Sequence, residues 1–357
     1  MDFIRITKRD NLSRKKEILI TLLAIVLSIV FAGIILLIFG LNPFEIFKEI
    51  IMGSVGTGLR VKQTIVKAVP LIITSMGIIV AFKMKFWNIG AEGQITMGAL
   101  GASWVALNLS PNLPQPVMLL LMMVGAAVCG GIWAFIPAIF KAKLGTNETI
   151  FTLMMNYVAI KFVAYLQYGP WMDPAANGFP KIAMFPDNAV MPKLGGVNIG
   201  WILAILAAAF VYFFMNYTKK GYEITVVGES IETARYAGMN ISRIIVVAML
   251  ISGGLCGITG MIQASAIEKT LVYGIANGYG FTAIITAWLS KLNAGYAVAV
   301  CAVFAMLIQG GQYIQIALGV PSAVSDIVQG LILFFVLGSE FFMRYRVHIG
   351  RNSKEVA

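Results

Sequence analysis

The sequence predicts an all-α polytopic membrane protein of about ten transmembrane helices, with both termini cytoplasmic and a membrane domain over residues 18–340. Three observations carry this. Hydrophobic residues make up 59% of the 357 and charged residues 12%, against about 25% charged in a soluble domain. The apolar residues come in runs of membrane-crossing length. The Lys and Arg between those runs are divided unequally, as the two faces of a membrane require.

Residues 1–17 carry Arg5, Lys8, Arg9, Arg14, Lys15 and Lys16 and read as a basic cytoplasmic tail. Residues 18–39 follow without a charge. At 1.5 Å per residue they reach about 33 Å, enough to cross the hydrocarbon core and longer than the apolar part of a signal peptide. Further runs lie near 65–82, 91–109, 116–140, 149–168, 199–216, 244–266, 278–289, 294–317 and 323–340. The third and eighth, 91–109 and 278–289, are short and interrupted by glycine, which fits broken helices as well as simple spans.

Threading ten helices from an inside N-terminus leaves nineteen Lys and Arg inside and six outside. The net charge of +11 is therefore an orientation signal and not a nucleic-acid footprint. The outside segment 169–198 holds Pro170, Pro174, Pro180, Pro186 and Pro192, with Trp171 and Phe179. Proline at that density disfavours a helix and predicts an ordered extracytoplasmic cap. The inside segment 217–243 is polar but too short for a catalytic domain, and 341–357 forms the second cytoplasmic tail. An echo links 88–100, NIGAEGQITMGAL, to 277–289, NGYGFTAIITAWL. In this topology the first begins inside and the second outside, as an inverted repeat would. Both are rich in Gly and Ala, so chance explains them equally well.

No G-x-x-x-x-G-K-[ST] loop is present, so the chain has no sequence basis for ATP hydrolysis. H-E-x-x-H, G-x-S-x-G and Cys/His pairs are absent too. Cys129, Cys256 and Cys301 sit singly in apolar runs, and the one histidine is His348 in the tail. Neither a disulfide framework nor a metal site is expected. The chain is therefore expected to be no enzyme, with no catalytic residue and no cofactor of its own.

Ionisable groups at membrane depth are costly and face a cavity or a partner. The candidates are Glu92, Glu148, Lys161 and Asp326. Asn88 is placed as an N-cap, with Glu92 in the first turns where the helix dipole favours an anion. Asn147 and Glu148 follow Gly145 in the same way. Asn156, Gln263, Gln309, Gln312 and Gln329 either line a pathway or bond between helices. Gly253, Gly254, Gly257 and Gly260 share a helix and permit close approach. In 221–260, Ser230 caps a short helix over 231–237 that Gly238 stops. Such a helix is too short to be stable alone, so it docks onto something.

That stretch resembles the cytoplasmic coupling loop of ABC-importer permeases of the branched-chain amino acid, ribose and nucleoside class, R-A-V-G-x-N-P-x-A-A-R-x-A-G-I with a Ser-Gly-rich helix after it. Here stand Val227, Gly228, Glu229, Ala234, Arg235, Tyr236, Ala237 and Gly238, then Leu250, Ile251, Ser252 and Gly253. Thr225, Ser230 and Ile231 replace the family's Arg, Asn and Pro. Residues 81–94 are similar to the A-F-x-x-G-x-F-N-I-G-A-E-G-Q signature of the nucleoside and simple-sugar subgroup, with Lys85 for a Gly and Trp87 added before Asn88. Residues 147–157 resemble its N-E-V-x-x-T-x-M-L-N-Y segment, and 330–333 its closing helix.

The resemblance covers most of the chain and implies a permease subunit of an ATP-binding-cassette importer in the bacterial cytoplasmic membrane. The solute would be small and polar, nucleosides foremost, and the mechanism alternating access. The implied partners are a cytoplasmic subunit that binds ATP and Mg, a second, related permease, and an extracytoplasmic solute-binding lipoprotein. Glu229, Ser230, Ala234, Arg235, Tyr236 and Gly238 would couple to the ATPase. Asn88, Glu92, Gln94, Asn147, Glu148 and Asn156 would form the pathway or its gate. Two alternatives stand beside this: an ion-coupled carrier working alone, or the same importer class taking a simple sugar or a flavin-like vitamin.

Overall fold

The computed structural model describes residues 4–8, 14–109, 111–321 and 323–349. Expectations about the remaining residues of both tails lie outside the described residues. In chain order the elements are β1 (Ile4–Lys8), α1 (Arg14–Ile38), α2 (Pro43–Val55), α3 (Gly58–Lys83), α4 (Ala91–Asn108), α5 (Gln115–Leu144), α6 (Glu148–Tyr168), β2 (Lys193–Leu194), β3 (Val197–Asn198), α7 (Gly200–Tyr217), α8 (Lys219–Glu229), α9 (Ile231–Tyr236), α10 (Ile241–Ile262), α11 (Tyr279–Leu289), α12 (Ala294–Leu318), α13 (Ala323–Arg344) and β4 (Tyr345–Ile349). They form two compact units, residues 1–60 with 306–357, and residues 61–305.

Six helices among the described residues are long and apolar enough to cross a membrane: α3, α5, α6, α7, α12, and α10 with its π-helical extension to Glu268. The bent pair α1–α2 makes a seventh if it counts as one span. The ten apolar runs exceed this for a physical reason. The 11 residues of α11 give only about 16 Å of helix against a core of about 30 Å. The first turns of α4 carry Glu92 and Gln94, which lower its mean hydropathy, and the side chains of α13, the run expected over 323–340, lie in part outside the described residues.

The first unit is built on a break. Gly40 turns at φ +74° after α1, the Asn42 side chain accepts the Phe44 N–H at 3.1 Å, and Pro43 opens α2. The two helices meet at 116°. Counting apolar runs gives α2 no element, because Glu45, Lys48 and Glu49 interrupt it. Its Ile46 and Ile50 nevertheless share one face and bury with Leu36, Ile314, Val320 and Val324. Arg60 lies 4.0 Å over the Tyr313 ring and donates to that hydroxyl at 2.9 Å. Strands β1 and β4 pair antiparallel, Arg5 opposite His348, which brings the two ends of the described chain side by side.

The second unit is organised around α4, most of whose side chains are buried against α5, α10 and α6. Backbones touch here because the sequence supplies no side chains at the crossings. A Cβ on Gly257 would overlap the Ala126 carbonyl, one on Gly98 would overlap Gly257, and one on Gly260 would overlap the Ile95 carbonyl. Gly254 faces a looser side, with nothing nearer than 3.6 Å to such a Cβ.

The proline-rich segment 169–198 contains no α-helix. It holds two 3-10 turns, Pro174–Ala176 and Asp187–Ala189, and the β2–β3 hairpin. Hydrogen bonds tie it to the end of α10. Phe185 N–H donates to the Lys269 carbonyl at 2.9 Å, Ser265 Oγ to the Ala189 carbonyl at 2.6 Å, and Thr270 Oγ1 to the Ile182 carbonyl at 3.0 Å.

Candidate functional site

Helices α4 and α11 begin against each other, and neither supplies its own side-chain cap. Asn88 is not the N-cap of α4 that its sequence position predicts; Gly90 holds that place. Asn88 is instead fully buried and pairs amide to amide with Gln94. Its Oδ1 accepts Gln94 Nε2 at 3.0 Å, and its Nδ2 donates to Gln94 Oε1 at 3.1 Å. The same Oδ1 accepts the Gly90 N–H at 3.0 Å, and Nδ2 reaches Ser252 Oγ on α10 at 3.1 Å. The loop before α4 is thereby locked from inside.

The orphan N–H groups at the start of α4 are met from α6. Asn156 Oδ1 accepts the Gly93 N–H at 2.8 Å, and its Nδ2 donates to the Ile89 carbonyl at 2.8 Å. Thr152 Oγ1 accepts the Ile89 N–H at 3.1 Å.

Glu92 in turn serves α11. Its Oε1 accepts the Gly278 N–H at 2.7 Å and its Oε2 the Gly280 N–H at 2.8 Å. These donors open α11, so the carboxylate sits at the positive end of that helix dipole. Glu92 is 6% exposed, and two charge-assisted bonds offset the burial of its charge. The caps thus form a relay across three helices, α6 to α4 to α11.

The two echo segments start together, joined by Glu92. They then diverge. Trp288, at the far end of α11, packs on Trp87 and Phe82 ahead of α4, with centroids 5.2 and 6.0 Å apart. Helix α4 runs the other way, with its Gly101 against Gly125 and Cys129 of α5.

Asn147 caps α6, accepting the Thr149 N–H at 3.1 Å, and Glu148 pairs with Lys141 at 2.8 Å. They lie about 12 Å along α6 from Asn156. Of the six pathway candidates, then, Asn88, Glu92, Gln94 and Asn156 come together, and Asn147 and Glu148 sit apart. Gln263 shares a hydrogen bond with Tyr279, Asp326 is exposed in the first turn of α13, and the side chain of Gln329 lies outside the described residues.

The second site is the loop after α7. Thr218 caps α8 through the Gly221 N–H at 3.1 Å. Gly228 lets α8 press on the end of α3, where a Cβ would overlap the Lys83 carbonyl. Glu229 ends α8, and Ser230 accepts the Thr233 N–H at 3.1 Å to open α9. Helix α9 stops at Tyr236, one residue before the predicted end. Gly238, at φ +70°, donates to the Arg235 carbonyl and Met239 to the Ala234 carbonyl, both at 3.0 Å. That double bond pattern is a Schellman motif. Ala234 is fully buried, while Ile231 and Arg235 are exposed and Tyr236 is 96% exposed. Beside α9 lies a cavity of about 280 Å³ lined in part by Lys219, Lys220, Asn240 and Arg243.

Residues 60–337 match the family described as branched-chain amino acid transport system / permease component. The glucose ABC transporter permease protein of Haloferax volcanii is 34% identical over 340 residues, which cover 92% of this chain and 89% of that one. The guanosine ABC transporter permease protein of Bacillus subtilis is 32% identical, covering 91% and 94%. The nucleoside ABC transporter permease protein of Lactococcus lactis subsp. cremoris is 28% identical, covering 91% and 92%. With several apolar spans and a family match over most of its length, the chain belongs to the branched-chain amino acid transport system permease family and is the membrane-embedded permease component of an ABC importer.

Proposed function

We propose that this permease carries nucleosides into the cell by alternating access, driven by a cytoplasmic ATP-binding subunit that docks on α9. The carrying observation is the way α9 is held. Ser230 fixes one end, the Gly238 turn fixes the other, Ala234 anchors the middle, and Arg235 and Tyr236 are left standing in solvent. A six-residue helix does not hold its shape unaided, and one fixed this firmly at its ends fits a docking device. Glu229 flanks it, and the basic cavity beside it offers Arg243 and Lys219 to an acidic partner. ATP and Mg belong to that partner, which leaves this chain neither hydrolysis nor cofactor of its own.

Adding α4, α13 and the half-helix α11 together with the buried loop that leads into it to the seven spans gives ten passages, and an even number keeps both termini in the cytoplasm. The pairing of β1 with β4 and the distribution of Lys and Arg support this reading. A second, related permease completes the path, and a solute-binding lipoprotein meets the segment 169–198. Asn88, Glu92, Gln94 and Asn156 act as the gate frame, with Asn147 and Glu148 at the start of α6. The guanosine and nucleoside relatives favour a nucleoside, and the glucose relative keeps a sugar as the second reading.

Uptake of radiolabelled guanosine by cells carrying the whole transporter tests the proposal. Arg235→Glu combined with Tyr236→Ala is expected to abolish uptake with the permease still in the membrane. Guanosine uptake by the purified chain alone on an ion gradient would overturn it in favour of a carrier.

A further inference from the structure

Helix α6 has two faces of different character. Thr152, Asn156, Ala159 and Val163 are buried toward α4 and its neighbours. The opposite face presents Tyr157, Lys161 and Tyr165, spaced four residues apart and all exposed, with the exposed apolar Ile150 and Met154 on the same side nearer the start of the helix. They follow one another at about 6 Å along the axis, a ladder of about 12 Å. Lys161 lies about 10 Å inside the Tyr168 end of a helix that is only 21 residues long. Among the described residues it forms no ion pair; its ammonium has the Tyr273 ring at 5.9 Å.

Lipid is a poor neighbour for the Lys161 stretch of this face, because a cation at such depth is expensive in hydrocarbon. Direct cover by the same face of a second copy of this chain is poor too. Packing of like faces would set cation against cation, and the only carboxylate of α6, Glu148, is already paired with Lys141. A water-filled seam satisfies the ladder. We infer that Tyr157, Lys161 and Tyr165 form a wall of the solute path, where the solute's flat faces lie on the tyrosine rings and its oxygen and nitrogen acceptors meet the Lys161 ammonium. A nucleoside has both features, so the assignment rests on the reading above for its substrate class. The wall also connects to the gate frame. Gln167 Oε1 accepts the Tyr273 N–H at 2.6 Å, and the segment carrying Tyr273 runs directly into Gly278, which Glu92 holds.

The test is Lys161→Cys in the complete transporter, with Cys129→Ala because Cys256 and Cys301 are buried and Cys129 is not fully so. A charged, membrane-impermeant methanethiosulfonate is applied with and without guanosine. Labelling that guanosine slows about tenfold is the expected result. No labelling, or labelling that neither guanosine nor glucose slows, would overturn the wall. Protection by glucose and not by guanosine would uphold the wall and overturn the nucleoside reading, which separates the two failures. Tyr157→Leu and Tyr157→Phe give a second measure. The first is expected to raise KM for uptake about tenfold and the second to leave it near the parent value, since only the ring is required. Equal KM for Tyr157→Leu and the parent would also overturn the wall.

Discussion

The carboxylate of Glu92 accepts the backbone N–H of Gly278 at 2.7 Å across 186 residues of sequence. With the second bond to Gly280 it joins the first turns of two helices that run in opposite directions. A change at this one side chain therefore acts on α4 and α11 together. Glu92→Gln keeps one acceptor oxygen but loses the charge and one of the two bonds. We expect a loss of about 1.5–3 kcal/mol of stability, with Glu92→Ala worse. Thermal unfolding of the purified transporter gives the first value and guanosine uptake the consequence. Parental melting and uptake in Glu92→Ala would show that the bond does not hold the frame.

Asn156 uses both ends of its amide, so its variants separate the two bonds. Asn156→Asp retains the acceptor for Gly93 and loses the donor to Ile89. Asn156→Ala leaves a buried N–H and a buried carbonyl unpaired, a cost of about 1–3 kcal/mol for each. The predicted order of melting temperature is parent, then Asp, then Ala. Equal stability of Asp and Ala would mean that the Gly93 bond contributes nothing.

The glycine crossings give a steric prediction. Gly257→Val and Gly260→Val place atoms where carbonyls already stand. Overpacking commonly costs about 1–3 kcal/mol, and with backbone as the obstacle we expect the upper end and little assembled protein. Gly254→Ala meets open space and is expected to be tolerated. The yield of monodisperse protein by size exclusion compares the three, and a Gly257→Val protein as abundant as Gly254→Ala would refute the seam.

The turn after α9 predicts a different phenotype. Gly238→Val forces a branched side chain into the left-handed region, and Ser230→Ala removes an N-cap bond of about 1 kcal/mol. Both changes lie outside the buried core, so membrane insertion is expected to survive. ATP-driven uptake is expected to fall at least tenfold. Immunoblots of membranes and uptake by the same cells check both halves, and full uptake by the Gly238→Val, Ser230→Ala double variant would exclude α9 from coupling.

The parts read well from sequence are those whose signals are local. Ser230 and Gly238 announce α9 within a single turn at each end, and apolar length alone finds α5 and α10. The small residues of α10 show that something approaches closely. Their partners, Gly98 and Ala126, lie on other helices and leave no mark in the pattern of α10 itself. Glu92 reads naturally as a cap for its own helix because the dipole argument is local, whereas its true donors belong to α11. Helix α2 escapes notice because the charges on its outer face break the apolar run that its inner face would otherwise show.

Where α4, α5 and α10 cross, main chain lies on main chain. Packed helices usually slide past one another by letting intervening side chains switch rotamers. At these crossings there is nothing to switch. The trio is thus a stiff keel, and any cycle of opening and closing has to be carried by what is hinged to it: α11 through the Glu92 clasp, α6 through Asn156, and α8 with α9 at the end of α3. Measured as distance changes between spin labels, the keel should stay constant to within an ångström through a transport cycle while those attached elements swing.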